Sequence, residues 1–134
     1  MAKPTKSQSA RPKKIKIKQK YPIARLFLRA NFNNSIVTLT DLNGLVLTWS
    51  SSGKSGFKGS KKSTPFAAQK ATEEVLATAK LYGVNTLHLE IKGAGMGRDA
   101  FIRAVQAGGL GVESIKDSTS FAFGGVTLKK RRRV

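Results

Sequence analysis

Cysteine is absent from this chain, and only seven of its residues are acidic. Without cysteine there is no disulfide framework and no thiolate metal site. The single histidine, His88, does not by itself make a usual zinc site. Long apolar runs are missing too. No stretch approaches the roughly 18 residues that mark a membrane span. The first twenty residues hold eight Lys and Arg, no Asp or Glu, and none of the apolar segment a secretory signal needs. An acid-free start with Ser and Lys permits a mitochondrial presequence. One arginine in that stretch and no amphipathic helical period argue against it.

Positive charge dominates what is there. Lys and Arg total 25, for a net charge of +18 over 134 residues. Such an imbalance says little about fold and much about partners, which should be nucleic acid or an anionic membrane surface. The charge is concentrated at the ends. Eight basic residues precede Tyr21, and Lys129, Lys130, Arg131, Arg132 and Arg133 follow one another. The whole chain is 40% hydrophobic, and the stretch between the basic ends is long enough for one core. The chain therefore divides into a basic N-terminal arm (1–22), a globular α/β body (23–120) and a basic C-terminal tail (121–134).

Periodicity supplies the elements of the body. "ARLFLRANF" (Ala24 to Phe32), "SIVTLTD" (Ser35 to Asp41) and "LVLTWS" (Leu45 to Ser50) read as strands. Asn43-Gly44 between the last two is a strong hairpin signal, because both residues tolerate positive φ. Asn33-Asn34 should turn the first strand into the second. A loop rich in Ser, Gly and Lys fills Ser51 to Lys62. Ser63 or Thr64 can cap a helix that has Pro65 in its first turn. Ala68, Ala71, Val75, Ala79 and Tyr82 then recur at spacings of 3 and 4, and Gly83 stops it. "TLHLEIK" (Thr86 to Lys92) is a strand with His88 and Glu90 on its polar side. "GAGMGR" leads to a helix from Asp99 to about Ala107, with Asp99 and Arg103 set for an i,i+4 pair. "VESIKDST" (Val112 to Thr119) is the last strand. The order β-β-β-α-β-α-β predicts a mixed sheet with helices packed on it.

Two glycine-rich stretches invite chemical readings. "GFKGSKKSTPFAAQ" resembles a phosphate loop but fails the P-loop pattern, since Lys61 stands where its second glycine should be. "GAGMGR" fails the dinucleotide pattern, because Arg98 occupies the last glycine position. Both still lead into helix starts, where backbone N–H groups and the helix dipole favour anions. Lys54, Lys58, Lys61 and Lys62 surround the first, and Arg98 and Arg103 the second. The expectation is a surface for a polyanion rather than a pocket for a nucleotide. Phe57, between glycines and lysines, can either stack on a base or plug the loop onto the body. No cofactor or metal is called for. The competing enzyme reading is a metal-dependent nuclease built on Asp41, Glu90 and Asp117. A membrane-surface reading lacks an amphipathic anchor.

Taken together, "FNNSIVTLTDLNG", "WSSSGKSGFKGSKKSTPFAAQ", "KGAGMGRDAFIRAVQAGGLGVESIKD" and the terminal "KKRRRV" resemble the universal small-subunit ribosomal protein eleven family, in its bacterial and organellar form. The similarity runs from about Ala24 to Val134. It implies a ribonuclease-H-like α/β fold without catalysis. It implies binding to small-subunit ribosomal RNA in the platform near the messenger exit path, as a monomer beside neighbouring platform proteins. The RNA-facing residues it implies are Asn33, Asn34, Trp49, Ser52, Gly53, Gly56, Phe57, Lys58, Gly59, Lys61, Lys62, Ser63 and Thr64, then Gly93, Gly95, Gly97 and Arg98, then the tail from Lys129 to Arg133. Two departures stand out. The family's "GPGPGR" is here "GAGMGR", which should loosen that turn. The family's "TPIPHNGCRPPKKRRV" is here "TSFAFGGVTLKKRRRV", so contacts made there do not carry over to Phe121 to Leu128. This divergence points to an organellar ribosome, mitochondrial ahead of plastid, with the bacterial cytoplasm as the alternative.

Overall fold

The computed structural model describes residues 19–131 and 133. The N-terminal arm as far as residue 18, and Arg132 and Val134 of the tail, lie outside the described residues. Five strands form one sheet: β1 (Ile23–Ala30), β2 (Ser35–Thr40), β3 (Val46–Ser51), β4 (Thr86–Lys92) and β5 (Gly111–Asp117), in the spatial order β3-β2-β1-β4-β5. β1 pairs antiparallel with β2 and β2 with β3, while β4 runs parallel to both β1 and β5. Parallel neighbours need crossovers, and the two helices supply them. α1 (Pro65–Leu81) precedes β4, and α2 (Gly97–Gly108) joins β4 to β5. This is the mixed α/β sheet of the ribonuclease-H-like type, in the element order read from the sequence.

Alternation along the strands decides which face is covered. Ala24, Leu26, Leu28 and Ala30 of β1, Val37 and Leu39 of β2, and Leu87, Leu89 and Ile91 of β4 are all buried on one face. Ala71, Val75, Leu76 and Ala79 of α1 and Phe101 and Val105 of α2 close over them. Each large side chain so buried contributes roughly 1.5–3 kcal/mol. The intervening residues form the uncovered face. One row across it reads Trp49, Thr38, Phe27, Glu90, Lys116, fixed by the pairings of the five strands.

Three local expectations need correction. Asn43 does not take positive φ; only Gly44 does, at 91°. The reversal instead spans Asp41 to Leu45, closed by Asp41 N–H to the Leu45 carbonyl at 2.9 Å and Gly44 N–H to the Asp41 carbonyl at 3.0 Å. One glycine suffices because the longer loop and a register shift at Leu39/Thr40 absorb the twist. Second, part of the Ser/Gly/Lys loop is ordered as a 3₁₀ turn, η1 (Gly59–Ser63). Third, Asp99 and Arg103 form no ion pair among those of the described residues. Solvated surface pairs gain too little to hold two long side chains together.

Candidate nucleic-acid interface

The cationic loop leaves the end of β3 and returns to the start of α1. Its first residues are tied to the sheet. Buried Ser52 donates its N–H to the Ser35 carbonyl at 3.0 Å, and Phe57 N–H reaches the Ser52 carbonyl at 3.1 Å. Gly56 at φ 94° and Gly59 at φ 59° make the sharp bends, and neither would bring an added Cβ within 4 Å of anything. These glycines therefore serve the loop's direction and leave its outer side clear. Lys54 folds back: its Nζ donates to the Trp49 carbonyl at 2.8 Å and lies 4.7 Å from the Trp49 ring centroid, a cation–π arrangement. Lys58 and Lys61 are exposed and Lys62 half-buried.

The turn between β1 and β2 lies beside this loop. Asn31 N–H to the Asn34 carbonyl closes the turn at 2.8 Å, and Asn34 Oδ1 accepts from Ser35 N–H at 2.9 Å. Asn33 is left exposed. Phe32 and Asn33 on one side and Gly59, Ser60, Lys62 and Ser63 on the other line an open cleft of about 330 Å³. Residues some thirty apart in sequence thus face one another.

The start of α1 is less available than its sequence suggests. Thr64 donates its hydroxyl to the Lys61 carbonyl at 2.7 Å and accepts from Ala67 N–H at 3.4 Å. It caps the helix with its own oxygen. Pro65 has no N–H to offer. Ser63 donates to the Ser60 carbonyl at 3.0 Å. The first turn is therefore largely self-satisfied, and the site's electrostatics rest on the lysines. Phe57 packs edge-on against Phe66, ring centroids 5.8 Å apart, and is half-buried. Of its two readings the plug is the one seen in the free chain.

The second glycine loop is packed against the protein itself. A Cβ on Gly93 (φ 101°) would lie 2.2 Å from the Ala30 carbonyl oxygen, one on Gly95 2.6 Å from that of Asn31, and one on Gly97 2.7 Å from Ala68 Cβ. Gly95 and Gly97 are buried. They are glycines so that the loop can lie against the β1–β2 turn and α1. Gly95 N–H donates to the Ala30 carbonyl at 2.9 Å. Arg98, which the sequence aims at phosphate, turns inward. Its guanidinium donates to the Gly93 carbonyl at 2.7 Å, to Thr119 Oγ1 at 3.3 Å, and to the Asp117 carboxylate. The prolines of the family pattern are absent, but these bonds hold the turn where prolines would stiffen it. Arg103 stays exposed on α2.

The three carboxylates of the nuclease reading do not converge. Asp41 follows Thr40, which pairs with Arg25 near the start of β1. Asp117 pairs with Ile91 at the far end of β4. Glu90 accepts from Ser118 Oγ at 2.7 Å. No group of three His, Cys, Asp or Glu among the described residues could hold a metal ion. His88 binds across to β5, with Nδ1 2.8 Å from Ser114 Oγ and Nε2 3.6 Å from Glu113.

Asp117 is held far below the usual carboxylate range, first by the Thr119 hydroxyl, then by the Arg98 guanidinium and the Thr119 N–H. A depressed carboxyl stabilises above its ordinary value and loses that contribution as pH falls through its native value. The pair is partly exposed, so the effect should be local rather than global. Asp117→Asn should speed amide exchange at Gly93, whose N–H donates to Thr119 Oγ1 at 3.1 Å, at neutral pH. Parent and variant should converge in strong acid. Equal protection at neutral pH would show that the clamp does not hold the loop.

With this geometry in place, the comparisons with known proteins are specific. The family model described as ribosomal protein S11 matches residues 23–133. The chain is also 48% identical over 128 residues to the small ribosomal subunit protein uS11 of Nitratidesulfovibrio vulgaris, covering 93% of this chain and 99% of that one. A match that takes in the sheet, both glycine loops and most of the tail shows that the chain belongs to the ribosomal protein S11 family.

Proposed function

We propose that the chain is a non-catalytic structural constituent of the small ribosomal subunit that binds small-subunit ribosomal RNA in the platform, near the messenger exit path. The observation that carries this reading is the cleft between the Asn33 turn and the lysine-bearing 3₁₀ turn, where Asn33, Ser60, Lys62 and Ser63 face a common opening. Asn34, Trp49, Gly53, Lys58 and Lys61 extend that surface, and the basic residues from Lys129 to Arg133 add a separate run of positive charge. Gly93, Gly95, Gly97 and Arg98 shape the surface from behind, and exposed Arg103 on α2 adds a further cation. RNA is recognised there by shape, phosphate and 2′-hydroxyl rather than by base sequence. No membrane is involved, and the chain works as a single copy beside neighbouring platform proteins. The altered Phe121–Leu128 segment supports an organellar ribosome, mitochondrial first; the bacterial relative supports a bacterial cytoplasm instead.

The absence of cysteine gives a clean test. A Ser60→Cys variant carries one thiol, to which iron–EDTA can be tethered in assembled small subunits. Hydroxyl radicals should then cut platform ribosomal RNA close to that position. Cleavage confined to distant RNA, or none, would overturn the placement.

A further inference from the structure

The tail between β5 and the final basic run has an unusual composition. In "TSFAFGGVTL" every large apolar residue is in the open: Phe121 is 71% exposed, Phe123 86%, Val126 91% and Leu128 82%. The two phenylalanine rings face each other, with centroids 4.5 Å apart and planes tilted by 48°. Together they form one two-ring surface whose outer side is bare.

We propose that Phe121 and Phe123 are a stacking platform for an unpaired nucleobase of the RNA whose phosphates the terminal lysines and arginines hold. The inference rests on the RNA-binding reading above and names a site within it. The rings are too close together for a base to enter between them, so the base lies on the outer face of Phe123. The partner's chemistry follows from charge. No acidic residue occurs after Asp117, and five basic residues follow six positions beyond Phe123. That separation spans at most about 20 Å of extended chain, so one polyanion meets both. Gly124, at φ 62°, and Gly125 let the backbone turn between the two contacts. Phe57, the aromatic of the lysine loop, is already engaged with Phe66. Stacking on a bare ring needs an unstacked base and is tolerant of which base it is. A neighbouring protein with an apolar pocket is the competing partner, and the adjacent run of cations argues against it.

The full chain and its Phe121→Ala/Phe123→Ala, Leu/Leu and Tyr/Tyr variants are titrated against protein-free small-subunit ribosomal RNA. The Ala and Leu pairs should each weaken binding about tenfold, with the salt slope unchanged because no phosphate contact is lost. The Tyr pair should restore affinity. Since the side chains are exposed, melting midpoints should stay the same. Full affinity in the Leu pair would mean simple apolar contact and overturn the proposal. Full affinity in the Ala pair, with a steep salt slope in the parent, would overturn it and leave the RNA-binding reading intact. A parent without a salt slope would take down both. In intact small subunits, benzoylphenylalanine at position 123 should crosslink to a nucleotide; crosslinking to protein alone would also overturn the proposal.

Discussion

Gly93→Ala is expected to lower stability by about 3 to 5 kcal/mol, enough to move the melting midpoint by on the order of 10 °C or more. Two costs add. The backbone at φ 101° is one that side-chain-bearing residues rarely adopt, and the new Cβ would meet the Ala30 carbonyl oxygen at 2.2 Å. That oxygen belongs to the end of β1, so it moves only if the sheet does. It also accepts from Gly95 N–H, so relief at one position breaks a bond at the other. Against a typical total stability of roughly 5–15 kcal/mol, the variant should be marginal. Gly53→Ala is the matched control. Its nearest neighbour would be Lys62 Cδ at 3.6 Å, ordinary contact, and its φ is not in the left-handed region. It should melt like the parent and, if the loop lies on RNA, bind less tightly. Thermal melts followed by circular dichroism check both. A Gly93→Ala protein as stable as the parent would mean the second glycine loop is not packed as described.

Replacing Lys58, Lys61 and Lys62 together by Gln should reduce affinity for small-subunit ribosomal RNA about 100-fold near physiological salt. It should also make the plot of log affinity against log salt shallower by about 2 to 3 units. Each lysine that neutralises a phosphate releases about 0.7–0.9 of a counterion, and that release is what salt opposes. Lys54 is left in place because its ammonium already serves the Trp49 ring and carbonyl. Lys80→Gln is the control; it lies at the other end of α1, roughly 20 Å away by helical rise. Salt titrations of filter binding measure slope and affinity at once. An unchanged slope with weaker binding would mean the loop acts through packing. No change in either would remove the loop from the interface.

Much of this was legible in one dimension because the signals were local. β4 keeps strict alternation, so Thr86 to Lys92 is read without error. Thr64, Pro65 and the Ala68, Ala71, Val75, Ala79 stripe place α1 to within a residue. What escaped was tertiary. The 3₁₀ turn at Gly59–Ser63 has no periodicity to announce it. Arg98 pairs with a carboxylate nineteen positions on, and nothing in its neighbourhood tells that partner from open solvent. Gly95 and Gly97 look like phosphate-loop glycines because close approach needs glycine whether the neighbour is a ligand or the protein's own Ala30 and Ala68. The resemblance to a family offers candidate RNA-facing positions; it could not say that Gly95 and Gly97 among them pack against the protein itself.

The bond from Gly95 to Ala30 also has a meaning in time. It joins residues sixty-five positions apart, across nearly half the polypeptide. A ribosome making this protein releases the lysine loop well before the segment that braces the neighbouring turn. The groove acquires its final shape only once the second half of the chain has emerged, so a half-made copy carries the lysines without the brace that sets the facing turn.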